Sequence, residues 1–314
     1  MNLISIVVPV YNEAANIKNL FLEICSVLEK LSKDYKFEII FVNDGSQDES
    51  GNIIRSLEKT FIQIKLIEFT RNFSKEVALS AGLQAAAGSS VILMDADFQH
   101  PPELLPHFIS EWEGGAEVVI GVRDYQKNIF SVRGFFSSLF NDVMRRLSQL
   151  NFREGETDFR LLDNRVVKEF CRFTERRRIT RGLLNWLGFR HKYIIFSVPE
   201  RRGGTSAYTM GKLFKLAIDA FFSYSLLPLR LAGYIGGVIT LLSGTLGLFV
   251  FIEMIVLSDP LGAKITGTAM LAVLILFLVG IILVCLGIIS YYISSIQDEV
   301  FGRPLYVVRD VFEL

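Results

Sequence analysis

Two carboxylates one residue apart, Asp95 and Asp97, follow the apolar run Val91-Ile-Leu-Met94 and precede Gln99-His-Pro-Pro-Glu103. The apolar run predicts a buried strand, and Pro101-Pro102 predict the start of a helix. In an extended Asp-x-Asp both side chains share a face. Open α/β sheets bind ligands beyond the carboxyl ends of their strands, so a carboxylate pair there suits a hard divalent cation shared with substrate phosphates. The same residues also suit a capped turn before a helix. The other polar residues of the chain decide between the two.

The elements needed to position such a pair are legible upstream. Leu3 to Tyr11 is a β-branched run, and Asn12-Glu13 lead into a helical pattern that ends near Lys33. A strand over Phe37 to Val42 precedes a helix from about Asp48 to Lys59, and a strand over Ile64 to Phe69 precedes a helix from about Lys75 to Ala87. The strand Val91 to Met94 follows, then a fifth over Ala116 to Val122. Strands alternating with helices predict an α/β fold with a mainly parallel sheet. Four strand ends then carry Tyr11-Asn12-Glu13, Asn43-Asp44-Gly45-Ser46, Arg71-Asn72 and Asp95-Ala-Asp97, which places these polar groups on one rim.

Composition limits the function classes. The chain has 314 residues with a formal net charge of zero, which argues against general nucleic-acid binding. Its 51% apolar content is uneven: residues 1–230 have soluble composition, whereas 231–293 are almost wholly apolar. Cys25, Cys171 and Cys285 show neither metal-ligand spacing nor a disulfide framework, as expected of a reduced setting. The opening strand runs into polar residues and predicts no signal peptide. No Gly-x-Gly-x-x-Gly follows the first strand, and Gly211-Lys212 is followed by Leu213, so neither a dinucleotide fingerprint nor a P-loop is present.

Taken in order, Pro9-Val-Tyr-Asn-Glu13, Val42-Asn-Asp-Gly-Ser46, Arg71-Asn-Phe-Ser-Lys75, Asp95-Ala-Asp97 with Gln99-His-Pro-Pro-Glu103, and Thr157-Asp-Phe-Arg160 resemble a family 2 glycosyltransferase of the GT-A fold. Within it, the chain is most similar to polyprenyl-phosphate glycosyltransferases, and the similarity continues through Arg181-Gly-Leu-Leu, Arg202-x-x-Gly-x-Ser206 and Gly302-Arg-Pro-Leu-Tyr306. That resemblance implies that Pro9, Tyr11 and Glu13 surround a nucleobase and ribose, and that Asp44 contacts the uracil or ribose. It implies that Lys75 lines the donor pocket, that Asp95 faces the ribose and diphosphate, and that Asp97 and Gln99 ligate Mg2+ or Mn2+. Asp158 falls where the resemblance expects a catalytic base. A phosphate acceptor needs less from a base than an alcohol does, because its second pKa is about 6. A carboxylate that orients the acceptor, or that simply pairs with an arginine, fits Asp158 as well.

Phosphate recognition on the acceptor side is expected of arginines, whose planar fork donates two hydrogen bonds to one phosphate. By resemblance these are Arg123 and Arg133, with Arg201 and Ser206 of the loop Arg201-Arg-Gly-Gly-Thr-Ser-Ala-Tyr208 beside the lipid phosphate and Arg202 beside the donor. From Arg123 to Arg181 basic residues exceed acidic ones by about six, which suits either a solvated face or an anionic headgroup. Val132 to Leu150 carries an apolar stripe at helical spacing, suited to the core or to a membrane interface.

Four segments are expected: a catalytic domain over 1–209, an interfacial amphipathic helix over 210–230, a transmembrane hairpin over 231–293 with spans near 231–257 and 267–293, and a tail over 294–314. Each apolar run exceeds the roughly 20 residues that cross a bilayer. Lys212, Lys215, Arg230, Arg303 and Arg309 flank the hairpin against Lys264 alone in its turn, which predicts both ends on the cytoplasmic side. The resemblance implies a multi-pass protein of the bacterial inner membrane that takes a UDP-sugar and a polyprenyl phosphate, with a homo-oligomer, such as a tetramer, as a further expectation. UDP-glucose is the expected donor, with an aminoarabinose-type or mannose donor as alternatives. A processive polysaccharide synthase is disfavoured by the missing Gln-x-x-Arg-Trp, and a non-catalytic membrane scaffold by the intact Asp95, Asp97 and Asp158.

Overall fold

Apolar runs without polar alternation demand cover on both faces of a sheet, and that is what the first half of the chain builds. A computed structural model describes residues 1–58, 60–124, 155–176, 178–197, 238, 245 and 267–314. Arg133, Arg201, Arg202 and Ser206, the stripe over 132–150, the 210–230 segment and nearly all of the first apolar run lie outside the described residues.

In chain order the elements are β1 (Asn2–Val10), α1 (Ala14–Leu28), β2 (Tyr35–Asn43), α2 (Ser50–Arg55), β3 (Ile62–Phe69), α3 (Lys75–Ala85), β4 (Ser90–Leu93) and α4 (Leu105–Glu113). There follow β5 (Val118–Arg123), β6 (Glu156–Asp163), α5 (Asn164–Cys171), α6 (Thr180–Trp186), β7 (His191–Phe196), α7 (Gly267–Val300) and β8 (Val308–Glu313). Among the described residues, one sheet contains every strand in the order β7-β5-β6-β4-β1-β2-β3-β8. Neighbours β1–β2, β1–β4, β2–β3 and β5–β7 run parallel, whereas β4–β6, β5–β6 and β3–β8 run antiparallel. The mainly parallel α/β sheet expected from sequence is therefore present, with an antiparallel strand inserted between β4 and β5.

Alternation divides the core into two layers. Ile4, Ile6, Val8 and Val10 of β1 pack with Ile17, Leu20 and Ile24 of α1 and Phe108 of α4. Val7 points the other way, with Val42 of β2, Ala78 and Leu79 of α3, Phe170 of α5 and Leu184 of α6. Gly82 on α3 lets that helix approach β1, since a Cβ there would lie 2.2 Å from the Val7 side chain.

Three expectations change. The second helix is confined to Ser50–Arg55 instead of running from Asp48 toward Lys59. Thr157-Asp-Phe-Arg160, unassigned from sequence, lies inside β6. The segment over 294–314 is not a simple tail: α7 continues to Val300, and Val308–Glu313 becomes the edge strand beside β3.

The structure divides into two compact units, Met1–Ala207 with Arg303–Leu314, and Tyr208–Gly302. Within the second unit α7 has 34 residues, a length of about 50 Å at helical rise. Its stretch Phe277–Ser294 has a mean hydropathy of 2.4 and no buried residues, and it is long and apolar enough to cross a membrane. Among the described residues it is the one such helix.

The loops after β2 and β3 meet at Gly45, whose φ is +68° and whose hypothetical Cβ would lie 2.4 Å from the Arg71 carbonyl carbon. Gly45→Ala should lower stability by about 2 kcal/mol, read as a fall in the thermal midpoint of the full chain. An unchanged midpoint would mean that this loop contact contributes nothing.

Candidate active site

The carboxyl ends of β1, β2, β3 and β4 converge, and each is followed by a residue in left-handed backbone: Asn12 (φ 57°), Gly45 (φ 68°), Ser74 (φ 106°) and Phe98 (φ 61°). Three of the four carry a Cβ, so the conformation costs energy that surrounding bonds must offset. For Asn12 those bonds are visible. Its backbone N–H donates to Ser46 Oγ at 3.0 Å, and its Oδ1 accepts from Gln47 N at 2.8 Å. The Glu13 N–H donates to Ser50 Oγ at 2.9 Å, so the loops after β1 and β2 are stitched together. Tyr11 is exposed and Pro9 half-buried on the same rim.

Asp44 is almost fully buried and accepts from the backbone N–H groups of Phe73 at 2.6 Å and Ser74 at 3.0 Å. Burial pushes its carboxyl pKa up, and those two bonds and Arg71 pull against it. The side chain expected to touch a nucleobase thus holds in place the loop that delivers Lys75 to the first position of α3. The C-terminal segment braces the same loop: Thr70 donates to the Val307 carbonyl at 3.1 Å, Arg309 Nη2 donates to the Thr70 carbonyl at 3.1 Å, and Tyr306 stacks on Phe69 at 4.9 Å.

Lys75 meets two of the predicted site carboxylates. Its Nζ lies 2.6 Å from Asp95 Oδ1 and donates to Asp158 Oδ2 at 2.8 Å. Arg181 of α6 grips Asp158 from the other side, with Nε donating to Oδ1 at 2.5 Å and Nη2 to Oδ2 at 3.0 Å. The Asp158 side chain is 10% exposed, whereas Lys75 and Arg181 are 41% and 40% exposed. Burial alone would raise the Asp158 pKa, but the Arg181 hydrogen bonds and the Lys75 charge hold it well below the usual carboxylate range. Burial would lower Lys75, and the Asp95 and Asp158 charges outweigh it and raise the ammonium instead. One residue along from each cation, Glu76 Oε2 accepts from Thr180 N at 2.8 Å and from its hydroxyl at 2.5 Å, which locks α3 to α6.

Alternation along β6 explains why Asp158 faces these helices. Glu156, Asp158 and Arg160 share a face, and Phe159 points to the opposite layer, where it stacks against Phe108. Arg160 is almost wholly buried, and its Nη2 donates to Glu156 Oε2 at 3.0 Å. Its Nε donates to the Thr157 carbonyl at 3.1 Å.

Asp95 is fixed from behind by His100, a residue with no expected role. The Asp95 N–H donates to His100 Nδ1 at 2.9 Å, and the imidazole, 1% exposed, stacks on Phe159 at 5.0 Å. Burial lowers the His100 pKa, so the ring is neutral near pH 7 and its other nitrogen carries the proton.

Asp97 and Gln99, the predicted metal ligands, lie on the turn through Phe98. The Gln99 N–H donates to Asp97 Oδ1 at 3.1 Å, and Gln99 Oε1 accepts from Arg123 Nη2 at 2.6 Å. Arg123 Nε is buried and has no partner among the described residues. No cluster of three His, Cys, Asp or Glu side chains suited to a metal occurs among the described residues. The hard oxygen donors of Asp97 and Gln99 still fit Mg2+ or Mn2+, which one or two protein ligands hold when substrate phosphates complete the shell.

Sequence reasoning thus named Lys75, Asp95 and Asp158, which the structure brings together, and missed Arg181 and His100 as site residues. Spacing carried no signal for Arg181, because it reaches Asp158 from a separate helix.

Residues 5–173 match the family model "Glycosyl transferase family 2". The chain is 38% identical to an uncharacterized glycosyltransferase of Synechocystis sp., over 99% of this chain and 96% of that one. It is 35% identical to the prophage-derived bactoprenol glucosyl transferase of Shigella flexneri, over 98% and 97%. A prophage bactoprenol glucosyl transferase homolog of Escherichia coli is 34% identical, over 98% and 99%.

A carboxyl whose folded pKa is depressed adds stability that is full above its unfolded value, about 3.9, and is lost as pH falls toward the folded value. The stability difference between wild type and Asp158→Asn, followed by thermal melting, should be flat above about pH 5 and shrink below about pH 4. A difference that stays constant to the lowest accessible pH would rule out the ion-paired carboxylate.

Proposed function

The chain belongs to glycosyl transferase family 2, and from that premise we propose that it transfers one sugar from a UDP-sugar, most simply UDP-glucose, to the phosphate of a polyprenyl phosphate. The observation that carries this reading is the 35% identity, over 98% of the chain, to a bactoprenol glucosyl transferase. The site supports it chemically. The reaction builds negative charge on a leaving diphosphate, and Lys75 and Arg181 stand at the rim where that charge would develop.

In this reading an acceptor phosphate oxygen attacks the anomeric carbon on the face opposite the departing UDP, with inversion. Tyr11 and Glu13 flank the nucleobase and ribose on the stitched loops of β1 and β2, with Pro9 behind them. Asp44 acts by holding the 71–74 loop. Asp97 and Gln99 would hold Mg2+ or Mn2+, which supplies positive charge to the leaving diphosphate. Arg123, one bond from Gln99, joins the donor and acceptor sides. Arg133, Arg201, Arg202 and Ser206 are proposed phosphate contacts.

The apolar helix α7 supports a membrane setting, and the expected partner span over 231–257 would complete a hairpin with both ends at the cytoplasmic face. The acceptor's phosphate then reaches the rim from the inner leaflet. A homo-oligomer in that membrane belongs to the same reading.

Membranes containing the protein, incubated with polyprenyl phosphate, Mg2+ or Mn2+ and radiolabelled UDP-glucose, should yield lipid-extractable label that EDTA suppresses. Asp97→Ala should lower the rate about 100- to 1000-fold. If UDP-glucose and the other sugar nucleotides all fail to label lipid, the proposal is wrong; label from a different donor alone would replace glucose within it.

A further inference from the structure

We propose that Asp158 is a fixed counter-ion rather than a proton acceptor, and that the two cations it holds, Lys75 and Arg181, grip a phosphate group of a reactant. This rests on the glycosyl-transfer reading above and assigns Arg181 to its site.

Geometry separates the two roles. Three charge-assisted bonds converge on Asp158: two from Arg181 in a fork, and one from Lys75. The carboxylate is largely covered while both cations are part-exposed, so they stand between Asp158 and anything that enters the rim. A proton leaving the acceptor would reach Asp158 only by displacing one of them. The opposed helices give no slack, because Glu76 and Thr180 tie α3 to α6 beside the cations, and Arg181 Nη1 also donates to the Glu156 carbonyl at 3.1 Å. Glu156 and Arg160, the other charged groups on this face of β6, bond to each other. On the far side of Lys75, Asp95 balances the ammonium, with the neutral His100 behind it.

Donor capacity remains on the exposed side. A guanidinium has five N–H donors, and the bonds of Arg181 to Asp158 and to the Glu156 carbonyl use three of them, while the part-exposed Lys75 ammonium adds positive charge beside it. A phosphate oxygen is the ligand that such paired, part-exposed cations recognise. The chemistry needs no base. With a dianionic acceptor, the phosphate oxygen forms the bond to the anomeric carbon, and the bond from that carbon to the diphosphate oxygen breaks. The electron pair leaves with the nucleoside diphosphate, no proton is released, and negative charge moves from acceptor to leaving group. The depressed Asp158 pKa fits this role, because so weak a base draws little from a proton it would accept.

The test is the full-length protein's transfer rate against pH for wild type and Asp158→Asn, with Arg181→Met and Arg181→Lys assayed for both reactants. A counter-ion gives an Asp158→Asn defect whose ratio to wild type is constant from pH 6 to 9, across and above the acceptor's second pKa of about 6. A base gives a defect that is largest at pH 6 and collapses at pH 8, where the acceptor has already lost its proton; that result overturns the proposal. Arg181→Met should raise one KM about 10- to 100-fold, and Arg181→Lys, which keeps the charge, should raise it less. A raised KM for the UDP-sugar places the cations on the donor diphosphate, and a raised KM for polyprenyl phosphate places them on the acceptor. Unchanged values for both would overturn the proposal. Wild type that transfers no sugar would instead remove the reading on which it rests.

Discussion

A buried carboxylate must be paired, and at Asp158 this requirement organises the rest of the site. Its partners arrive from two helices, Lys75 at the first position of α3 and Arg181 near the start of α6, so the pair fixes how those helices meet the sheet. Around it, each neighbouring bond serves placement. Asp44 holds the loop that ends at Lys75, the C-terminal segment braces that loop from outside, and His100 fixes the backbone of Asp95. The left-handed residues on the rim are the conformational cost of turning four strand ends toward one point.

Charge is nearly balanced inside this cluster, which has a chemical consequence. Lys75 and Arg181 offset Asp95 and Asp158, so these four side chains by themselves do not make a strong anion trap. In the proposed reading, binding of a diphosphate would gain from directed N–H groups and from a metal that Asp97 would hold, in place of bulk attraction. Such an arrangement would favour the charge distribution of a departing diphosphate over the resting substrate, because preorganised donors act where charge develops.

The parallel half of the fold was legible in the sequence because strands covered on both faces must be largely apolar, as in Ile6 to Val10 and Ile39 to Val42. The rim residues were legible because each follows such a strand. β6 was not: Glu156, Asp158, Arg160 and Asp163 give it the polarity of a loop, and the Arg160–Glu156, Arg181–Asp158 and Lys75–Asp158 pairs offset the burial of its charges. β8 was hidden for a different reason. Its register with β3 joins residues more than two hundred positions apart, and Val-Arg-Asp-Val-Phe-Glu has the mixed pattern of an exposed edge. Arg181 belonged to a resemblance to known sequences, yet its bond to Asp158 is a product of tertiary packing.

The most direct measurement is a structure of the full-length protein with UDP, Mn2+ and a short-chain polyprenyl phosphate. The account predicts a phosphate oxygen of one of these ligands within about 3 Å of Lys75 Nζ or the Arg181 guanidinium, with the Asp158 carboxylate still bound behind both. Asp158 released from its two cations and turned toward the acceptor phosphate would contradict it.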